Sequence, residues 1–220
     1  MNIAIDGPAG AGKSTIAKEV ARKLGSIYVD TGAMYRAMAL YMIRRGIASD
    51  DHDNLIREAE HADIRIVYQE GGQHILLGGE DVTGFIRDKS VTDMASRISQ
   101  IGEIREILVN KQRKLAEETS VVMDGRDIGT VVLPDAEVKI FLTADPGVRA
   151  LRRAKEISGA EEPSAELIAS IEKDIRERDE RDMTREVSPL KMAEDANLID
   201  SSYMSPEEVA DAVLRIAGEK

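Results

Sequence analysis

The chain has no cysteine and no tryptophan, and aromatic residues make up only 3% of its 220 residues. Without cysteine there is no disulfide bond, no thiolate metal site and no cysteine nucleophile, which favours a reducing compartment. Because aromatic side chains are scarce, the core has to be packed mainly with aliphatic residues. We therefore expect a cytoplasmic protein with an aliphatic core.

Long apolar runs and surplus positive charge are also missing. The apolar run from Met1 to Ile5 is short and ends at Asp6, so we expect neither a signal peptide nor a membrane-spanning segment. A formal net charge of -11 excludes the broad basic surface that binds nucleic-acid backbones. We expect small-molecule partners, no nucleic acid, no membrane and a monomer, and the length suits one domain over 1–220.

A glycine-rich stretch near the start of the chain follows an apolar run and precedes an amphipathic segment. Its Gly7, Gly12, Lys13 and Ser14 have the spacing G-x-x-x-x-G-K-[ST]. Such a loop turns its backbone N–H groups into an anion cradle, to which the lysine adds a charge and the hydroxyl a ligand for Mg2+. The motif predicts a nucleoside triphosphate site; a purely structural turn is the alternative. The predicted phosphate-binding residues are Gly7, Pro8, Ala9, Gly10, Ala11, Gly12, Lys13, Ser14 and Thr15, with Ser14 or Thr15 on the magnesium side.

Five short apolar runs alternate with helical patterns, which predicts an α/β fold with a five-stranded parallel sheet flanked by helices. Residues 62–84 have a different pattern, in which short apolar runs are separated by the glycine pairs Gly71-Gly72 and Gly78-Gly79. This pattern predicts a three-stranded antiparallel insertion. Residues 90–118 predict one long helix. The three histidines, His52, His61 and His74, lack metal-ligand spacing, and we interpret them as surface residues.

Arginines are grouped at three places away from the glycine-rich loop. Tyr35 and Arg36 lie in the first turns of a predicted helix, and Arg149, Arg152 and Arg153 precede a polar break that predicts a hinged flap. The third place is a predicted helix whose apolar stripe ends at Ile175. Further steps of three and four along the same face reach charged residues, namely Arg178, Asp182 and Arg185. Solvated helix faces are the alternative at each place. Charges on an inward face should pair or meet a polar ligand.

Together these features predict transfer of a phosphoryl group to a bound acceptor. Such catalysis depends on positioning and on cations around the transferred group, and needs no nucleophilic side chain. Guanidinium groups suit planar contacts with phosphate, so the arginines favour an acceptor that is itself a phosphate.

Four motifs in this order and spacing resemble the bacterial-type cytidylate kinases, which belong to the nucleoside monophosphate kinases among P-loop proteins. They are GPAGAGKST at 7–15, DTGAMYR at 30–36, DGRD at 124–127 and the run Arg178, Asp182, Arg185. The resemblance covers essentially the whole chain. It implies that the γ-phosphoryl group of ATP is transferred in line to CMP or dCMP, giving CDP or dCDP, in pyrimidine metabolism.

The resemblance also implies a role for each matching position. Lys13, Arg126, Arg149 and Arg153 would act on the transferred group, with 149–165 as a lid over the phosphates. The acceptor region would span about 31–105. The substrate-binding residues it implies are Thr31, Tyr35, Arg36, Ser96, Arg105, Arg126, Asp127, Arg178, Asp182 and Arg185.

Two alternatives stay open at this stage. A kinase for another acceptor, such as UMP or AMP, would share the glycine-rich motif, but a carboxylate at Asp127 suits the amino group of cytosine. A nucleotide switch or a nucleic-acid-dependent ATPase would need other features. A GTP switch would carry Asn-Lys-x-Asp after a strand, whereas Asn110-Lys111-Gln112-Arg113 lies in a predicted helix and lacks the acid.

Overall fold

The computed structural model describes residues 1–69 and 72–219, and the chain divides into two units. Unit 1 comprises Met1–Tyr28 and Ser120–Lys220, and unit 2 comprises Val29–Thr119. Unit 2 therefore contains the range 31–105 that the sequence assigns to the acceptor. None of the described helices is long and apolar enough to cross a membrane.

Eight strands and eight α-helices follow one another in the described residues. The strands are β1 (Ile3–Asp6), β2 (Ile27–Asp30), β3 (Ile64–Gln69), β4 (Gly72–Leu77), β5 (Glu80–Asp81), β6 (Val121–Gly125), β7 (Val138–Thr143) and β8 (Asn197–Asp200). The helices are α1 (Lys13–Leu24), α2 (Thr31–Arg44), α3 (His52–Ala59), α4 (Lys89–Ile98), α5 (Gly102–Glu118), α6 (Pro146–Ser158), α7 (Ala165–Thr184) and α8 (Pro206–Gly218). A five-residue π-helical turn, Ile128–Val132, follows β6.

The five-stranded sheet has the order β2-β6-β1-β7-β8. The pairs β1/β6, β1/β7 and β7/β8 are parallel, so the predicted parallel sheet is confirmed. In the central register Ile5 lies between Asp124 of β6 and Ile140 of β7. Since parallel strands end at the same edge, the carboxyl ends of β1 and β6 bring their terminal residues together there.

Aliphatic residues build the core of unit 1, as the scarcity of aromatic residues predicts. Ile5 and Ile140 of the sheet are buried together with Val20 of α1 and Val213 of α8. Local signals place the helix ends. Asp145 caps α6 with Pro146 in its first turn, and Ser205 and Glu208 form the predicted capping box of α8.

Unit 2 holds the predicted antiparallel insertion, and its three strands β3, β4 and β5 are confirmed. The third strand, Glu80–Asp81, is the shortest of the three. Gly78 and Gly79 have positive φ and form the second turn, whereas Gly71 of the first predicted turn lies outside the described residues. The core of unit 2 is rich in methionine, isoleucine and leucine, among them Met34, Met38, Leu55, Ile75, Ile98, Ile104 and Leu108.

The single helix predicted over 90–118 is wrong, because the chain turns between α4 and α5. Ile101 adopts an extended conformation with φ -84° and ψ 116°, and Gly102, a poor helix former, begins the next helix. The break exposes the carbonyl of Ser99, which accepts a hydrogen bond from Arg105 Nη1 at 3.1 Å. It thus fixes the position of a predicted site residue.

Candidate active site

The glycine-rich loop joins β1 to α1 and takes the backbone conformation that an anion cradle requires. Gly10 and Gly12 have φ of 74° and 87°, which residues with a Cβ rarely adopt. A Cβ on Gly7 would lie 1.9 Å from the carbonyl oxygen of Leu142 on β7, so glycine is obligatory there. Because α1 begins directly at Lys13, the N-terminal end of its dipole also faces the loop.

Lys13 is buried and lies within a group of like charges. Its Nζ donates a hydrogen bond to the carbonyl of Pro8 at 2.7 Å, and the residue is only 6% exposed. Burial lowers the pKa of Lys13 well below its usual range, and the charges of Arg126 and Arg178 lower it further. The carboxylates of Asp124 and Asp6 oppose this effect. A polyanion would relieve the repulsion and favour the protonated amine.

A small network of oxygen atoms connects the loop to the end of β6. Ser14 Oγ donates to Asp124 Oδ2 at 2.8 Å, and Tyr28 OH donates to Asp124 Oδ1 at 2.9 Å. In the sequence Asp124 stands out only as the first residue of the DGRD motif. The structure places it against Ser14, the hydroxyl with the strict motif spacing.

Asp6, the last residue of β1, holds the turn that follows the DGRD motif. Its carboxylate accepts the backbone N–H groups of Ile128 at 2.8 Å and of Gly129 at 2.7 Å. Burial raises the pKa of Asp6 to about 6, although these two hydrogen bonds lower it. The side chain therefore anchors the backbone directly after Asp127. Sequence reasoning treated Asp6 only as the end of the apolar run.

We expect the stability contribution of Asp6 to fall as pH rises. Its pKa is higher in the folded chain than in the unfolded one, so proton binding favours the folded state below about pH 4 and this advantage is lost through about pH 6. A shift of this size corresponds to about 3 kcal/mol. Urea unfolding of the wild type and of Asp6→Asn should therefore show the wild type losing about 3 kcal/mol relative to the variant between about pH 4 and about pH 7. If the free energies of unfolding of the wild type and of Asp6→Asn changed in parallel with pH, the raised pKa of Asp6 would be contradicted.

Ion pairs join the end of α7 to the DGRD motif within unit 1. Arg126 Nε donates to Asp182 Oδ2 at 2.8 Å, and Arg185 Nη2 lies 3.6 Å from Asp127 Oδ1. Burial alone would raise the pKa of Asp182, but Arg126 and, more weakly, Arg178 and Arg185 hold it below its ordinary value. The structure thus brings together the site residues predicted from these two stretches.

The predicted site residues of unit 2 form their own set around the start of α2. Asp30 caps α2 by accepting the N–H of Ala33 at 2.9 Å and an Arg36 Nη2 hydrogen bond at 2.8 Å. Thr31 and Arg105 are buried, and the guanidinium of Arg105 lies 5.4 Å from the ring centre of Tyr35. Ser96 lies near the end of α4, where its carbonyl accepts hydrogen bonds from Ser99 and Gln100.

The three arginines of the predicted lid have different surroundings on α6. Arg149 is buried and bound to the glycine-rich loop, whereas Arg152 donates to the carbonyl of Ser201 at 2.6 Å. Arg153 is half-exposed and pairs with Glu156 at 2.7 Å. The polar break follows α6 at Gly159, which has φ 67°.

A family model described as cytidylate kinase matches residues 3–219. The cytidylate kinase of Caldicellulosiruptor saccharolyticus is 51% identical over 98% of this chain and 95% of its own. The cytidylate kinase of Carboxydothermus hydrogenoformans is 46% identical over 100% of this chain and 98% of its own. An uncharacterized protein from Eubacterium ventriosum, whose crystal structure is known, aligns over 100% of this chain and 99% of that chain with a TM-score of 0.55 and 14% identity, which indicates a shared fold.

Proposed function

The chain belongs to the cytidylate kinase family, and we propose that it transfers the γ-phosphoryl group of ATP to CMP and dCMP, giving CDP and dCDP. The observation that carries the proposal is the glycine-rich loop itself, whose positive φ angles form an anion cradle at the start of α1 with Lys13 buried beside it. Lys13 is buried, and Arg126 and Arg178 lower its pKa. Repulsion of this kind is compensated when phosphate groups bind among the three cations.

The reaction needs no covalent intermediate on the protein. The phosphate of CMP already carries an ionised oxygen, so the acceptor needs no general base to remove a proton. The side chains have to bring the two phosphates into line and to balance the charge on the transferred group. We assign Lys13, Arg126 and Arg153 to that group. Their cationic side chains suit this task because they are strong hydrogen-bond donors to phosphate oxygens.

For the acceptor we assign each position as the resemblance implies. Arg36, Arg126 and Arg178 bind the phosphate of CMP; Tyr35, Arg178 and Asp182 contact its sugar. The cytosine edge is recognised by a larger set: Thr31, Ser96, Arg105, Asp127 and Arg185. Arg36 and Arg126 each carry a carboxylate partner, Asp30 and Asp182 respectively, which orients the guanidinium and leaves further N–H groups for phosphate oxygens.

The residues next to Lys13 fit a magnesium ion that arrives with the nucleotide. Ser14 Oγ and the carboxylate of Asp124 are oxygen donors, which Mg2+ prefers. Among residues 1–69 and 72–219, no group of three or more His, Cys, Asp or Glu side chains could hold a metal ion alone. Such a sparse donor set suits an ion whose other ligands are phosphate oxygens and waters. When bound, Mg2+ neutralises phosphate charge. Ser14 and Asp124 would hold it.

Replacing Ser14 with alanine should raise the Mg2+ concentration needed for half-maximal activity by about tenfold, the effect of losing one hydrogen bond or weak ligand. The reason is its hydrogen bond to Asp124, which places the hydroxyl beside a second oxygen donor. A Mg2+ titration at saturating ATP measures the shift. Thr15→Ala is the matched comparison, and a larger shift in that variant would assign the ion to Thr15.

The proposed function is tested by coupling ADP release to a panel of nucleoside monophosphates. We expect rapid turnover with CMP and dCMP and much slower turnover with UMP and AMP. Faster turnover with UMP or AMP would identify a kinase for another acceptor. ATP hydrolysis that is stimulated by a polynucleotide but not by CMP would instead identify a nucleic-acid-dependent ATPase.

A further inference from the structure

The backbone of Ala9, in the glycine-rich loop, is held on both sides by side chains from α6 and α7. Its N–H donates to Asp179 Oδ1 at 3.0 Å, and its carbonyl oxygen accepts from Arg149 Nη1 at 2.7 Å. The same nitrogen of Arg149 donates to Asp179 Oδ2 at 2.6 Å. The Nε of Arg149 donates to the carbonyl of Ala144 at 2.9 Å. A closed set of hydrogen bonds therefore holds the two peptide groups on either side of Ala9.

The Arg149–Asp179 pair is buried, with side chains 4% and 10% exposed. Its helices also pack against the loop, because a Cβ on Gly10 would lie 3.5 Å from Arg149 Cβ and 3.7 Å from the Cδ1 of Ile175. Buried ion pairs are seldom a net source of stability, since removing two charges from water offsets their attraction. What this pair does provide is a fixed orientation for the Ala9 peptide.

We infer that Asp179 and Arg149 are positioning residues for the triphosphate, an inference that rests on the proposed function. By fixing the Ala9 peptide they hold the loop in the conformation with positive φ at Gly10 and Gly12. Arg149 therefore acts through the loop rather than on the transferred phosphoryl group, because its side chain is only 4% exposed and its Nε and Nη1 bind main chain and Asp179.

The position of Asp179 on α7 gives the pair a second consequence. Asp182, which pairs with Arg126, lies one turn further along the same helix. A displacement of Asp179 that followed the loop would therefore move the charged end of α7 as well. The pair connects the loop for the donor phosphates to the arginines of unit 1 that are assigned to the acceptor.

The test uses Asp179→Asn, which keeps an acceptor for the Ala9 N–H but removes the charge facing Arg149. We expect the affinity for ATP, measured by calorimetry without CMP, to fall about tenfold or more. In steady-state kinetics kcat/KM for ATP should fall by a similar factor, and the KM for CMP should rise by a smaller factor, because the Arg126–Asp182 pair one turn away remains intact. Glu172→Gln is the matched control, because Glu172 pairs with the exposed Arg176 on the same helix and should leave all these values unchanged.

A purely structural role would give a different result. It predicts a lower melting temperature. At a temperature where circular dichroism shows the variant to be fully folded, it predicts unchanged ATP affinity and unchanged KM values. That outcome would overturn the inference. Arg149→Lys is held to the same criteria, because the single nitrogen of lysine cannot occupy both the Nε and the Nη1 positions from which Arg149 reaches the carbonyls of Ala144 and Ala9. The double variant should lose no more than the worse single variant if the two residues act as a unit.

Two features keep this test separate from the proposed function. The ATP affinity comparison needs no turnover, so it decides the inference even if CMP is not the acceptor. Hydrogen exchange of the Ala9 amide in the wild type needs no variant at all. We expect strong protection because its N–H donates to a buried carboxylate; exchange as fast as that of an exposed loop amide would overturn the inference.

Discussion

Replacing Lys13 with alanine is expected to lower kcat by about a thousandfold, the usual upper effect of removing one cation or donor from a transition state. The side chain is buried and its Nζ donates to the Pro8 carbonyl, which leaves further N–H groups of the amine for phosphate oxygens. Burial lowers the pKa of Lys13, and an anion bound at the loop would favour the protonated amine. The fold should persist, because the substitution removes an unfavourable buried charge.

The measurement is steady-state turnover of ATP and CMP, together with thermal unfolding of the same samples. Lys23→Ala is the matched control, because Lys23 lies on the same helix and pairs with Glu19 and Asp211 at the surface. We expect wild-type kcat for that control. A Lys13→Ala enzyme with near-wild-type kcat and a native melting curve would contradict the assignment of Lys13.

Replacing Asp127 with alanine is expected to lower the preference for CMP over UMP by ten- to a hundredfold. The carboxylate is 5% exposed and lies near the guanidinium of Arg185, so it is well placed to act as an acceptor in a site with little water. Cytosine donates from its amino group, whereas uracil presents a carbonyl oxygen at the same position. Loss of a hydrogen bond to a charged group costs about 1.5 to 3 kcal/mol, which gives the stated range.

The ratio of kcat/KM for the two acceptors is the appropriate measurement, because it does not depend on the fraction of folded enzyme. Asp127→Asn adds a second criterion: its amide can donate to uracil, so activity with UMP should rise. The control is Asp135→Ala, which removes an exposed acid from the same segment between β6 and β7. It should leave the ratio of kcat/KM for CMP and UMP unchanged. An unchanged ratio in Asp127→Ala would remove Asp127 from base recognition.

Local patterns predicted the architecture because each element carries its own signal. Buried strands such as β6 begin with apolar runs. Ser205 and Glu208 have the residue types and the spacing of the capping box of α8. The glycines of the loop occupy positions where the backbone has positive φ. The break between α4 and α5 was missed because the apolar residues continue at helical spacing through Ile98, Ile101 and Ile104. Only the conformation of Ile101 reveals it.

The residues that hold the site in place were harder to predict than those assigned to substrates. Steps of three and four from Ile175 reach both Arg178 and Asp179, and the sequence does not distinguish Asp179 from the other acids of this charged helix end, whereas the structure buries it against Ala9. Asp6 is bound to backbone groups more than 100 residues away in the sequence. Nearly every residue has a backbone N–H group, so the sequence does not show which of these groups will bind a carboxylate. A carboxylate at the end of a strand can also serve several different purposes.

Direct transfer between two nucleotides is most directly tested by single-turnover reaction of ATP and CMP in which the phosphate oxygens of CMP are labelled with 18O, followed by 31P NMR of the products. We predict CDP with 18O in the bridge between its two phosphorus atoms and unlabelled ADP, because the oxygen of CMP attacks the γ-phosphorus. Unlabelled inorganic phosphate released while CMP remains unchanged would contradict the account.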